Sequence, residues 1–263
     1  MIELTDYLDA EGFKAMSFDE RDRKIEDLLG TERFKLFEQL LGKVGECPTY
    51  DSCQDWYKFV ADNGIETLFA APTRAEAEVL IPVIVENGVK GKKAIIDVGC
   101  GTGIKTIYYA LINPNAKIIG IDFSAPLIRA ARKRAKKYAL NNLIFMTADL
   151  TNIEHHRKLK TRKFDSVICT NMISEGGIAY GAGGGIHYND MLSAKAKSLA
   201  DLTSANGILV LSCNPNRLID YKDHLYSHLE LAGFKDLSYK FIKHIRPYNP
   251  PEECTNLTIF AKK

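Results

Sequence analysis

Apolar and polar positions change period several times along this chain. From Lys93 to Val98 the run Lys-Ala-Ile-Ile-Asp-Val is apolar on both alternating faces, the pattern of a strand covered on both sides in a parallel sheet. Directly after it, Ile104, Ile107, Tyr108, Leu111 and Ile112 recur at helical spacing. Apolar runs at 116–124, 142–150, 163–174 and 207–215 repeat the strand signal, with room for one helix between successive runs. A helix around 220–231 precedes two β-rich runs, Ser-Tyr-Lys-Phe-Ile-Lys-His-Ile-Arg-Pro and Thr-Asn-Leu-Thr-Ile-Phe-Ala-Lys-Lys, which supply the sixth and seventh strands. The order predicts an α/β fold with a seven-stranded, mostly parallel sheet and flanking helices.

The first ninety residues have a different texture. Ser17 and Glu20 form a capping-box pattern ahead of a helix that Gly30 stops. Phe34, Phe37, Leu40 and Leu41 continue at helical spacing; further helices are expected at 52–64 and at 73–88, the last kinked by Pro82. The chain therefore divides into a helical N-terminal segment, 1–90, packed against an α/β domain, 91–263. Phe34, Phe37, Trp56 and Phe59 suit a helix–helix core, whereas Arg74 and Tyr57 are candidates to face a cleft.

Gly99, Gly101 and Gly103 fall within five residues between the first strand and its helix. Such a cluster marks positive φ or close approach of a ligand to the backbone. A strand, glycine turn and helix point free N–H groups and the positive end of the helix dipole at the crevice above the sheet, a seat for a nucleotide-like or anionic ligand. The spacing is G-x-G-x-G with Asp97 two positions ahead, not the G-x-G-x-x-G of dinucleotide enzymes, which weighs against a dehydrogenase. Asp122 closes the second strand about 20 residues on, where nucleotide-binding α/β folds set an acid on the ribose hydroxyls.

The stretch Asp-Val-Gly-Cys-Gly-Thr-Gly resembles the first motif of class I S-adenosylmethionine-dependent methyltransferases, and the resemblance covers roughly 91–263. It implies a Rossmann-like sheet whose last strand runs antiparallel and inserts beside the fifth. It implies S-adenosylmethionine as donor and S-adenosylhomocysteine as product. The donor would be held by Asp97, Gly99, Cys100, Gly101 and Gly103, by Asp122 and Phe123, by Asp149 and Leu150, and by Asn171. Asp149 matches the family acid that receives the adenine amino group. The N-terminal helices would cover the donor site or wall the acceptor pocket. The segment 171–190 holds six glycines after the fourth strand and has the length of a substrate lid. Its His187 and Tyr188 are the catalytic candidates, as a base or as groups orienting the acceptor. Where base and amide methyltransferases carry an Asn-Pro-Pro-aromatic tetrad, this chain reads Thr170-Asn171-Met172-Ile173, which weighs against those acceptors.

Composition narrows the picture little: 46% hydrophobic residues and a net charge of +2 over 263 residues describe an ordinary soluble protein. No apolar run approaches the roughly 20 residues of a membrane span, and the acidic, interrupted N-terminus is unlike a secretory signal, so the cytoplasm is the expected location. Six cysteines without the paired spacing of zinc sites read as structural thiols, and no metal is expected. The basic tract 129–137 carries six positive charges, and 156–163 five. Leu127, Ile128, Ala131, Ala135 and Tyr138 thread the first at helical intervals, favouring a solvated helix face over a nucleic-acid contact. The reading is a methyltransferase acting by in-line displacement on a small-molecule acceptor. RNA or protein as acceptor and a non-catalytic donor-binding module are the alternatives.

Overall fold

Strands apolar on both faces need cover on both faces, and the helices provide it. The computed structural model describes residues 2–46, 50–170, 186–213, 221–246 and 252–263. Strands β1 (Ala94–Val98), β2 (Lys117–Asp122), β3 (Leu143–Thr147), β4 (Phe164–Thr170) and β5 (Thr203–Cys213) pair in parallel. β6 (Lys235–Arg246) and β7 (Glu252–Lys262) are antiparallel, and β7 inserts between β5 and β6. The sheet order is β3-β2-β1-β4-β5-β7-β6, the insertion beside the fifth strand that the resemblance implies.

The N-terminal helices are α1 (Leu4–Ala10), α2 (Phe18–Leu29), α3 (Thr31–Glu46), α4 (Tyr50–Asp62), α5 (Glu66–Ala70) and α6 (Arg74–Ile84). α7 (Ile104–Ile112), α8 (Ala125–Ala135), α9 (Ile186–Leu202) and α10 (Tyr221–Leu231) follow among the strands. Ile96, Val98, Val167, Leu209 and Leu211 bury one face of the sheet with α9 and α10. Ile95, Ile168 and Val210 bury the other against Leu80, Ile81 and Ile84 of α6 and Tyr109 of α7. α6 carries Pro82 in its interior and passes into a π turn, Val85–Val89. Gly88 in that turn lies so close to the sheet that a Cβ there would stand 2.8 Å from Val210 Cγ2.

α2 to α5 build a core of their own around Ile25, Phe37, Trp56, Val60 and Ile65. Phe37 meets Trp56 at a ring separation of 5.0 Å, in keeping with the packing role expected for the aromatics. Ser17 Oγ accepts from Glu20 N at 3.1 Å, and Gly30 closes α2 at φ 75°.

Two sequence expectations are corrected. Arg74 does not face the cleft. It is 8% exposed, pairs with Asp9 and with Glu78 (2.7 Å), and donates to the carbonyl of Phe13 at 2.8 Å. It joins α1 and the turn after it to α6. Arg74→Ala leaves the Phe13 carbonyl without its donor, so a loss of about 2 kcal/mol in urea unfolding is expected. Nor is the basic helix wholly solvated: Arg132 donates to Phe145 O (2.7 Å), and Arg134 to Thr102 O (2.6 Å) while pairing with Glu11 (2.5 Å). These guanidiniums fasten the glycine loop and the N-terminal segment to α8.

Candidate active site

The carboxyl ends of the parallel strands share one edge, and the glycine loop stands there. Gly99, Gly101 and Gly103 have φ of 71°, 54° and 77°. Gly101 and Gly103 differ in what surrounds them. At Gly101 an added Cβ would meet nothing within 4 Å, whereas at Gly103 it would stand 2.5 Å from Phe145 Cζ and 3.0 Å from Ala131 Cβ. Gly103 is thus required by packing, and Gly101 opens onto space.

That space is a cavity of about 420 Å³. Gly99, Cys100, Gly101, Asp122, Phe123, Asp149 and Leu150 line it, so seven of the expected donor residues converge. Asp97 and Gly103 are not in its lining. Asn171 and residues 171–185 of the glycine-rich segment 171–190, expected as a lid, lie outside the described residues. His187 and Tyr188, expected in a loop, stand instead in the first turn of α9.

Asp122 holds the loop in shape: Oδ2 accepts from Gly101 N and Oδ1 from Ser124 N, each at 2.9 Å. Burial pushes its carboxyl above the usual range, and these two backbone donors pull it back. Each oxygen keeps a second lone pair for a ligand. Asp149 caps the short helical turn at Leu150–His155, its Oδ1 accepting from Thr151 N at 2.9 Å and Thr151 Oγ1 at 2.8 Å.

Asp97 sits beneath the loop. Its Oδ2 accepts from Thr106 Oγ1 at 2.5 Å, and its Oδ1 is buried without a hydrogen-bond partner. Burial raises its carboxyl to about 6, against the pull of Lys105 and Thr106. A raised value means that the protonated form favours the fold, a contribution present at low pH and lost as pH rises through about 6. Asp97→Asn keeps an acceptor for Thr106 and removes the titration. Its stability relative to wild type is therefore expected to rise by on the order of 3 kcal/mol between about pH 4 and pH 7, read by paired denaturant curves.

The N-terminal helices close the rest of the cavity: Leu8 and Phe13, Tyr57, and Glu76, Ala77, Leu80 and Ile81 of α6. Tyr57 meets Phe123 edge-on with ring centroids 6.1 Å apart. Lys105 and Lys195 also line it, with Lys105 Nζ donating to Thr170 Oγ1. Glu76, Lys105 and Lys195 carry no motif; each reads in sequence as an ordinary polar position on a helix. Cys169 and Cys213 are buried thiols raised to about 12, too weakly acidic to act as nucleophiles at neutral pH.

Residues 90–234 match the family model described as a methyltransferase domain. The ribosomal RNA small subunit methyltransferase C of Klebsiella pneumoniae is 33% identical over 95 residues, 35% of this chain and 27% of that protein. The trans-aconitate 2-methyltransferase of an Azoarcus species is 31% identical over 103 residues, 39% of this chain and 33% of that one. The matches thus span no more than a third of either relative. Magnesium protoporphyrin IX methyltransferase from Synechocystis, solved with bound S-adenosylhomocysteine, shares the fold at a TM-score of 0.50 and 19% identity, over 92% of this chain and 99% of that one. The chain belongs to the class I S-adenosylmethionine-dependent methyltransferase family.

The residues present fit the donor of that family. Gly101 leaves open the space a side chain would fill, and Asp122, each of whose oxygens accepts one backbone N–H, lines the same cavity.

Proposed function

We propose that this protein transfers the methyl group of S-adenosylmethionine to a small-molecule acceptor. The observation that carries the reading is one cavity walled both by the glycine loop with Asp122 and Asp149 and by the N-terminal helices. The donor supplies a methyl carbon made electrophilic by the adjacent sulfonium. Asp122 and Asp149 would hold its ribose and adenine, and the backbone at Gly99 and Gly101 would take the methionine end. The chain's own work is then alignment and exclusion of water.

In this reading residues 1–90 are the cap of a methyltransferase domain spanning 91–263, and the contributions of Leu8, Phe13 and Glu76 to the cavity support it. His187 and Tyr188 would act on the acceptor side, on the same helix as Lys195. A small acceptor is favoured over RNA because Arg132 and Arg134 of the basic helix are engaged by the protein's own backbone. The test is release of S-adenosylhomocysteine from labelled donor, with small acceptors and structured RNA supplied in parallel. Turnover with small acceptors supports the reading. Turnover with RNA alone overturns the acceptor class, and donor binding without turnover on either leaves a non-catalytic module.

A further inference from the structure

The cavity has an acidic group that donor binding does not account for. Glu76 of α6 lines it and is 3% exposed. Its Oε1 accepts from Asn256 Nδ2 at 2.8 Å, and its Oε2 stands 3.8 Å from Nε2 of the buried His244. Asn256, on β7, is fully buried, and its own Oδ1 has no hydrogen-bond partner.

Burying a carboxylate costs several kcal/mol unless donors answer it. Docking α6 on the sheet does not require that expense, because Leu80, Ile81 and Ile84 already bury an apolar face there. What the polar cluster adds is direction. The Asn256 amide uses its N–H on the carboxylate and leaves its own oxygen unmet, so it fixes where Glu76 points at the cost of its own satisfaction. Of the other charged groups on the wall, Asp122 ends β2 and Asp149 follows β3, Lys105 is engaged with Thr170 and lies close enough to Asp97 to favour its charged form, and Lys195 stands on α9. Around Glu76 the surface contributed by α6 is apolar: Ala77, Leu80 and Ile81.

We propose that Glu76 is the acceptor-orienting residue of this site, held in place by Asn256, and that the acceptor is a small, partly apolar molecule presenting an N–H or O–H group to it. The recognition is that of an amine or a hydroxyl; a carboxylate acceptor would meet like charge. The inference rests on the reading of the cavity as a combined donor and acceptor site.

The experiment is calorimetric titration of the intact protein, first with S-adenosylhomocysteine and then, at saturation, with benzylamine, benzyl alcohol and benzoate. These probes share a size and an apolar ring and differ in the terminal group. The amine or the alcohol is expected to bind at least about tenfold more tightly than benzoate, and the tighter of the two identifies the donor group. Glu76→Gln is expected to lower that affinity at least about tenfold while S-adenosylhomocysteine affinity stays within about twofold, and Glu76→Asp to recover part of the loss. Failure of S-adenosylhomocysteine to bind overturns the donor site itself. If it binds, three results overturn the role of Glu76 alone: benzoate binding as tightly as the others, no probe binding, or Glu76→Gln retaining full affinity. If Glu76→Gln does not fold, Glu76→Asp decides in its place, since binding of the tightest probe as well as by the wild type would overturn the role of Glu76.

Discussion

Gly103→Ala is expected to lower the stability of the protein by about 4 kcal/mol, well beyond the loss from the same change at Gly101. The backbone there has φ 77°, a conformation that costs a residue with a side chain on the order of 1–2 kcal/mol. The new Cβ would also stand 2.5 and 2.9 Å from two atoms of the Phe145 ring and 3.0 Å from Ala131 Cβ. Phe145 is 4% exposed, and its ring packs so close to Gly120 on β2 that a Cβ added there would stand 2.6 Å from it, so the ring has little room to retreat. Urea unfolding of the variant measures the loss. Shrinking the obstacle should return part of it, so Gly103→Ala combined with Phe145→Leu is expected to be less destabilised than the sum of the two single changes.

Gly101→Val is expected to do the opposite: to leave the fold and abolish donor binding. Its Cβ direction is free of protein atoms within 4 Å, so the price of the change is confined to the strain of φ 54°, about 1–2 kcal/mol. The added isopropyl group then occupies the cavity beside Asp122, and a loss of at least about 100-fold in S-adenosylhomocysteine affinity is expected. Asp122→Ala is the milder companion. It removes a charge-assisted contact and the brace on Gly101 N, with an expected loss of about 1.5–3 kcal/mol in binding. Circular dichroism alongside each titration separates lost binding from lost structure.

These contrasts show what was legible beforehand. The succession of strands and helices and the acids at the ends of β2 and β3 were readable from local pattern, and the antiparallel insertion of β7 from the family resemblance alone. The division of labour between Gly101 and Gly103 was not, since it depends on Phe145 and Ala131, which the loop meets only after folding. Asp97 stood in the motif as a donor ligand, yet the structure sets it under the loop with Thr106 and outside the cavity lining. Glu76 was invisible for a related reason. In Arg-Ala-Glu-Ala-Glu-Val-Leu it alternates with Glu78 as any polar helix position would, and the partner that singles it out, Asn256, is 180 residues away. Arg74, expected at a cleft, and Arg134, expected on a solvated face, were misplaced in the same manner, because the buried carbonyl or carboxylate that each one meets lies far away in the chain.

The central claim is that the cavity above the glycine loop is a donor site with open space at Gly101. It is tested most directly by titrating S-adenosylhomocysteine into wild-type protein and Gly101→Val side by side, with both shown to be folded. Saturable one-to-one binding by the wild type, lost in the variant, is the expected result. A folded wild type that does not bind, or a variant that binds as tightly as the wild type, would contradict it.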